Sequence, residues 1–133
     1  MRIVLDTNVF VSGVFFSGSP YLILQAWRDG KVELVVSREV LEEYERVGCR
    51  LSQQFPGVHL DPILNLLALH AQIVQSAPLP KQVCSDPDDD KFLSCALAAR
   101  CPVIVTGDRA LLKASGYRHL TIVKPRTFVD EYL

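Results

Sequence analysis

The sequence predicts an α/β fold built on a parallel β-sheet. Short runs of apolar, β-branched residues alternate along the chain with segments whose apolar residues recur at helical spacing. This alternation is typical of β-α-β units, in which successive strands run parallel. With 133 residues, 49% of them hydrophobic, the chain can bury a sizeable core. We therefore expect a single domain over residues 1–133.

The apolar runs predict five strands, at residues 2–5, 32–36, 72–75, 103–106 and 121–123. Capping residues mark the helices between them. Ser19 and Pro20 are the predicted N-cap and first residue of a helix that Gly30 ends, and Ser37 is predicted to cap a second helix, running to about Leu51.

Three further helices are predicted, and the last residues of the chain are weakly helical. One begins at Asp61-Pro62 and is apolar nearly all round, which predicts burial in the core or against a partner. Another begins at Asp86-Pro87 and reaches Arg100, and a short one follows Asp108 and ends at Gly116.

Charge and composition narrow the class of protein. The formal net charge of −1 indicates neither a strongly basic coat nor an acidic tail. No apolar run approaches the ~18 residues that a membrane span needs, and no targeting segment is recognisable. The four cysteines form no Cys-x-x-Cys pair and the three histidines are scattered, which disfavours a structural zinc site. We expect a soluble, cytoplasmic protein with reduced thiols and no membrane contact.

Two aspartates follow predicted strands directly. Asp6 comes after the first strand, and Asp108 comes shortly after the fourth. In an open parallel sheet, ligands bind beyond the carboxyl ends of the strands. If these two strands are neighbours, both carboxylates face one crevice.

Two further acids are singled out by helical projection at about 100° per residue. Of the four glutamates on the helix after the second strand, only Glu43 lies at the edge of the apolar stripe, about 40° from Val47. In the acidic stretch at residues 86–90, Asp89 falls in the middle of the apolar face, where a carboxylate is costly unless it is paired or binds a metal. A shift of one residue would exchange Asp89 with Asp90.

Each acid also has a purely structural interpretation. Asp108 and Asp86 could cap the helices that follow them, and Asp6 could bond the backbone of Asn8 in a turn. Glu43 could be an ordinary solvated helix residue. The structural interpretation weakens when the four acids are taken together, because four separate elements would each have placed an acid at one end of the sheet by chance.

Four motifs, in the same order along the chain, resemble those of PIN domains. They are Ile3-Val4-Leu5-Asp6-Thr7-Asn8, the Ser37…Leu41-Glu42-Glu43-Tyr44 helix, Asp86-Pro87-Asp88-Asp89-Asp90-Lys91-Phe92-Leu93 and Val105-Thr106-Gly107-Asp108. The resemblance covers nearly the whole chain and is closest to the bacterial and archaeal toxins of toxin–antitoxin systems, the VapC-like ribonucleases.

The resemblance implies a fold, a site and partners. The implied fold is a three-layer α/β/α sandwich whose parallel strands have the order 3-2-1-4-5. The implied acidic site consists of Asp6, Glu43, Asp89 and Asp108, supported by polar residues at Asn8, Thr106 and Asp90. The implied partners are an RNA substrate, an antitoxin protein and a second copy of the chain in a homodimer.

Four ionised carboxylates cannot crowd together unpaired, so we expect a divalent cation among them, and oxygen ligands favour Mg²⁺ or Mn²⁺ over zinc. The predicted activity is endonucleolytic hydrolysis of RNA. Basic residues near the predicted crevice are candidates for holding phosphates: Arg38, Lys91, Arg109 and Lys113.

Other functions stay open from the sequence alone. A haloacid-dehalogenase-type phosphatase also uses an aspartate after its first strand, but it requires Asp-x-Asp, and the second acid is Asn8 here. A non-catalytic PIN-like module that binds RNA or protein would not need all four acids. A phospho-acceptor domain would need an aspartate after its third strand, where Gln75-Ser76 stands. An EF-hand fails because Lys91 replaces its glycine and Leu97 its glutamate.

Overall fold

The computed structural model describes residues 1–133 and contains a five-stranded sheet in which all neighbouring strands run parallel. The strands are β1 (Arg2–Leu5), β2 (Glu33–Ser37), β3 (Gln72–Val74), β4 (Val103–Val105) and β5 (Thr121–Val123). Their order across the sheet is β3-β2-β1-β4-β5. The predicted fold class and strand order are confirmed.

Helices flank the sheet. They are α1 (Thr7–Phe15), α2 (Ser19–Arg28), α3 (Arg38–Gln54), α4 (Asp61–His70), α5 (Asp90–Ala98), α6 (Arg109–Leu112) and α7 (Pro125–Tyr132). Two 3₁₀ turns, Pro87–Asp89 and Tyr117–His119, complete the structure. The central strands β1 and β4 are buried on both faces, since residues 3–5 and 103–105 are at most 3% exposed, whereas the edge strand β3 is largely exposed.

The strand order changes direction between β1 and β4. The chain steps from β1 to β2 and β3 on one side, and then crosses back to β4 and β5 on the other. Because parallel crossovers are right-handed, the two halves place their helices on opposite faces of the sheet. Leu5 pairs with Val105, so the residues that follow β1 and β4 emerge side by side at the carboxyl edge. This switch point is where open α/β sheets form ligand crevices.

Helix α1 was not predicted from the sequence. Its segment is rich in β-branched and aromatic residues and contains Gly13, all of which are poor helix formers. Two tertiary features compensate for this. The Asp6 side chain caps the helix by accepting a hydrogen bond from the Val9 N–H, and the helix is largely buried and packs against α2 and α3.

Three predicted boundaries are corrected by the structure. Helix α2 has Gly18, at φ 110°, as its N-cap, and Ser19 is its first residue. The helix expected to begin at Asp86 starts as a 3₁₀ turn and becomes α-helical only at Asp90, because the Asp86 side chain accepts from the Asp88 N–H and tightens the first turn. That helix also ends at Ala98, since Arg100 adopts a positive φ of 51°.

Helix α4 is only half buried, although its composition predicted burial all round. Ile63 and Leu67 face the core, whereas Leu69 is 77% exposed and Leu66 lies near the surface. No single helix is long and apolar enough to cross a membrane, although α1 and α2 together have sufficient length and apolar composition despite an 86° bend between them.

The close approach of α1 to α2 depends on Gly13. A Cβ atom there would lie 2.7 Å from Leu24 Cδ1 and 2.8 Å from the Pro20 carbonyl oxygen. Since the backbone oxygen cannot rotate away, we expect Gly13→Ala to lower the free energy of unfolding by about 1–3 kcal/mol, as overpacked cores do. Gly57→Ala is the matched control, because a Cβ at Gly57 meets nothing within 4 Å. Urea denaturation of both variants measures the difference, and equal midpoints would contradict the tight contact.

Candidate metal-binding acidic site

An acidic crevice opens at the carboxyl edge of the sheet, beside the switch point. Its volume is about 280 Å³. Six of the ten residues that line it carry carboxylates: Asp6, Glu43, Asp86, Asp88, Asp89 and Asp108. The other four are Thr7, Asn8, Val47 and Phe92. Residues from β1, α1, α3, the 3₁₀ turn and the loop after β4 thus meet at one place.

Asp6 forms the floor of the crevice. It is only 4% exposed, and both carboxylate oxygens are engaged. Oδ1 accepts from the Val9 N–H at 2.8 Å, and Oδ2 accepts from the Thr106 hydroxyl. Burial raises the pKa of Asp6, the two hydrogen bonds oppose that rise, and the charges of Asp108 and Glu43 add to it. The sequence-based alternative of a bond to Asn8 is corrected, since the cap is formed with Val9.

Thr106 links two of the acids. It is fully buried at the end of β4. Its hydroxyl donates to Asp6 Oδ2 and accepts from the Asp108 N–H at 3.0 Å. One hydroxyl therefore fixes the side chain of Asp6 and the backbone of Asp108 relative to each other, across the switch point.

Asp89 and Asp108 face each other across the crevice opening. Burial, followed by the negative charges of Asp108 and Asp86, raises the pKa of Asp89 to about 7. Asp108 also caps α6 by accepting from the Ala110 N–H at 2.9 Å. It therefore has the capping role considered from the sequence and also lines the acidic crevice.

Glu43 also lines the crevice, and its negative charge is already balanced by ion pairs within the protein. Its Oε2 accepts from the Thr7 hydroxyl, and its Oε1 lies 2.8 Å from Lys91 Nζ and 3.5 Å from Arg46. Lys91 Nζ lies 3.1 Å from Asp88 as well. The helix that carries Glu43 is held to β1 by Tyr44, whose ring stacks on Phe10 and whose hydroxyl donates to the Leu5 carbonyl.

Asp90 does not face the crevice. Its two carboxylate oxygens accept from the N–H groups of Val83 and Cys84, at 3.0 and 2.8 Å, and fasten the loop before the 3₁₀ turn to the start of α5. Of the two alternatives, only Asp89 lines the crevice, which favours it as the predicted metal ligand.

The predicted basic residues are distributed unevenly. Arg38 is exposed, pairs with Glu42 one turn along α3 at 3.0 Å, and lines a separate depression beside β3, so its predicted place near the crevice is corrected. Lys91 contacts carboxylates, which corrects its predicted availability to phosphates. Arg109, the first residue of α6, and Lys113, which caps its C-terminal end, are both exposed.

Three polar residues of the crevice were not among the predicted site residues. Thr7 could have been noticed, because it lies between Asp6 and Asn8 directly after a strand. Asp86 was interpreted only as a helix-capping residue and Asp88 was not singled out, and the structure adds that both line the crevice. The contact between Lys91 and Asp88 has the i, i+3 spacing of neighbours on a helix.

The donor set fits a hard divalent cation. In the structure no three of the His, Cys, Asp or Glu side chains already surround a point where a metal ion could sit. The available donors in the crevice are carboxylate oxygens, however, and two of the carboxylates have raised pKa values because of burial and mutual repulsion. Oxygen donors are those that Mg²⁺ and Mn²⁺ prefer, and a cation would relieve the repulsion.

A larger depression of about 610 Å³ lies between α2 and α4, but its chemistry differs. Trp27, Ile63 and Leu66 form its apolar surface, and Glu33 is its only carboxylate. We assign the functional site to the acidic crevice because convergent ionisable groups, rather than volume, support chemistry.

The raised pKa of Asp89 predicts how stability depends on pH. Between about 4 and 7 the folded, metal-free protein keeps a proton that the unfolded chain has released, so its stability falls as pH rises through that window. Asp89→Asn removes this titration. We expect the variant to have a higher Tm than the wild type at pH 8 in excess chelator, and an equal Tm near pH 4. Circular dichroism melts test this, with Asp29→Asn, on an exposed residue between α2 and β2, as the control of equal charge. An unchanged or lower Tm at pH 8 would contradict the electrostatic account.

Comparisons with known proteins agree with this geometry. A family model described as the PIN domain matches residues 2–110. The uncharacterized protein MJ1680 of Methanocaldococcus jannaschii is 26% identical over 145 residues, covering 99% of this chain and 92% of its own length. The fold is similar to that in a crystal structure of VapBC2 from Rickettsia felis bound to a DNA fragment from their promoter, with a TM-score of 0.61, 17% identity, and coverage of 93% of this chain and 98% of that one. Because the family model spans most of the chain, the protein belongs to the PIN domain family.

Proposed function

We propose that the protein is a metal-dependent endoribonuclease that hydrolyses phosphodiester bonds in RNA. The observation that carries the proposal is the gathering of Asp6, Asp89 and Asp108 at the switch point of the sheet, where crowding and burial raise the pKa of two of them. Membership of the PIN family, whose members are typically nucleases, supports the same conclusion.

Asp6, Asp89 and Asp108 are the residues that would hold Mg²⁺ or Mn²⁺. When bound there, such an ion supplies a water of lowered pKa and offsets negative charge on the scissile phosphate. The ends expected from hydrolysis are a 5′-phosphate and a 3′-hydroxyl. Glu43, whose carboxylate is held by Thr7 and Lys91, would orient the attacking water.

The remaining residues around the crevice position the acids or would bind the substrate. Thr106 keeps Asp6 and Asp108 in a fixed relation. Arg109 and Lys113 are exposed on the helix after Asp108 and can meet phosphates of the substrate, and the exposed Asn8 lines the crevice from α1. Phe92 is the aromatic residue that lines the crevice, and it is only 2% exposed, so it offers no open face for stacking on a base and the crevice favours contacts to the backbone of the RNA.

We further propose a biological setting, that of the toxin of a type II toxin–antitoxin pair in the cytoplasm. The support is the PIN family itself and the similarity in fold to VapBC2. An antitoxin that covers or fills the acidic crevice, and a homodimer of the chain, are the partners that this setting implies.

The experiment is a cleavage assay with purified protein and 5′-labelled RNAs, both structured and unstructured. We expect internal cleavage with Mg²⁺ or Mn²⁺, a 5′-phosphate and 3′-hydroxyl at the cut, and no cleavage in excess EDTA. Full cleavage in EDTA would overturn metal dependence. Binding of RNA without cleavage, under all metal conditions, would favour a non-catalytic module, and hydrolysis of a phosphomonoester with a trapped phospho-aspartate would favour a phosphatase.

A further inference from the structure

Lys91 is an unusual cation for its position. It is the second residue of α5 and lies two residues after Asp89, yet its side chain is only 16% exposed. The ammonium group lies 2.8 Å from Glu43 Oε1 and 3.1 Å from Asp88 Oδ1. It therefore joins α3 to the 3₁₀ turn, two elements that both line the crevice.

The contacts of Lys91 divide the acids of the crevice into two groups. Both oxygens of Glu43 are engaged, Oε1 by Lys91 and Arg46 and Oε2 by the Thr7 hydroxyl. Asp6, Asp89 and Asp108, by contrast, have no Lys or Arg within ion-pair distance and line the same crevice. The protein thus supplies positive charge to Glu43 and Asp88, and it supplies none to Asp6, Asp89 and Asp108.

We infer that Lys91 is a positioning residue, a built-in counter-cation that holds Glu43 and Asp88 on one wall and leaves the divalent cation to Asp6, Asp89 and Asp108. This inference rests on the proposed function, because it concerns the divalent cation that the proposed nuclease would use. It assigns Glu43 a place outside the ligand set of the ion. It also replaces the sequence-based role of Lys91, contact with substrate phosphates, by a role within the protein.

The inference predicts opposite changes in metal binding and cleavage. In Lys91→Met, one positive charge near the ion is lost and two carboxylates are released toward it, so we expect Mn²⁺ to bind about tenfold more tightly at fixed ionic strength. Glu43 loses its support, so we expect kcat at saturating Mn²⁺ to fall by roughly tenfold or more. The KM for RNA should stay nearly unchanged, because Lys91 contacts no substrate.

Two companion variants separate charge from structure. Lys91→Arg keeps the positive charge, and we expect its Mn²⁺ affinity to stay near that of the wild type. The double variant Lys91→Met with Glu43→Gln removes one charge of each sign. We expect its Mn²⁺ affinity to return toward the wild-type value while cleavage stays low.

The test is isothermal titration of each metal-free variant with MnCl₂ alone, followed by cleavage kinetics and a Tm in EDTA. Tighter Mn²⁺ binding with a lower kcat supports the inference. Unchanged or weaker Mn²⁺ binding by Lys91→Met overturns the inference. In that case, a raised KM for RNA would indicate that Lys91 contacts substrate phosphates. A lower Tm alone would indicate a purely structural role. The titration requires no RNA, so a protein that binds Mn²⁺ but cuts no RNA would refute the proposed nuclease and still decide the role of Lys91.

Discussion

Asp6→Asn is expected to lower metal-dependent RNA cleavage by about 10³-fold or more. A catalytic metal contributes several kcal/mol to transition-state stabilisation, and each ~1.4 kcal/mol is a factor of ten in rate. The substitution removes the negative charge from the buried floor of the crevice. It keeps the shape of the side chain, and its amide oxygen can still accept the bond that caps α1.

The measurement is the rate of cleavage of a labelled RNA at saturating Mn²⁺, together with a Tm that shows that the variant folds. Asp29→Asn serves as the control, because Asp29 lies at the end of α2, on the way to β2 and away from the residues that line the crevice. Activity of Asp6→Asn within a few-fold of the wild type would refute the assigned role of Asp6.

Thr106→Val is expected to have the second largest effect, although its side chain is not a proposed metal ligand. Valine has the same shape but cannot donate to Asp6 or accept from the Asp108 N–H. Loss of a partner that orients a metal ligand typically costs 10–100-fold in activity or metal affinity. We expect a loss in this range, together with about 1–3 kcal/mol of stability, because a buried Asp6 oxygen and the partly buried Asp108 N–H each lose a partner.

Thr106→Ser is the matched control for this substitution. It retains the hydroxyl and deletes only a methyl group, so we expect most of the activity to be recovered. Cleavage kinetics and urea denaturation of the two variants decide the matter. If serine and valine reduced activity equally, packing rather than the hydroxyl would explain the effect.

The strands of the sheet were predictable because their signals are local. Each strand is a short apolar run followed by a polar or turn residue, and the predicted ranges agree with the structure to within one residue at each end. The strand order, by contrast, was not contained in the apolar pattern. It came from the resemblance of the four motifs to the PIN family, and the structure confirms it.

Helix α1 shows where local signals fail. Its residues favour a strand by propensity, and only the Asp6 cap and the packing at Gly13 make the segment helical. The Asp6 cap is adjacent in sequence, but the packing at Gly13 depends on α2 folding against the segment. A reading of the segment alone could not have supplied that packing.

The acidic residues show which parts of the site could be predicted from the sequence and which could not. Helical projection selected Asp89, and the structure places it in the crevice, yet it lies in a 3₁₀ turn rather than within the α-helix that the projection assumed. The structure brings together Asp6, Glu43, Asp89 and Asp108, while their roles toward a metal stay a prediction. The ion pair between Glu43 and Lys91 joins residues 48 positions apart, so no spacing rule could have revealed that Lys91 is not free.

Anomalous diffraction from crystals grown with MnCl₂ is the most direct test of the central claim, that acids from separate elements form one cation site. We predict an anomalous peak in the crevice, coordinated by carboxylate oxygens of Asp6, Asp89 and Asp108, with Glu43 still paired to Lys91. A peak at another place in the protein, or an empty crevice in a protein that cleaves RNA, would contradict the account.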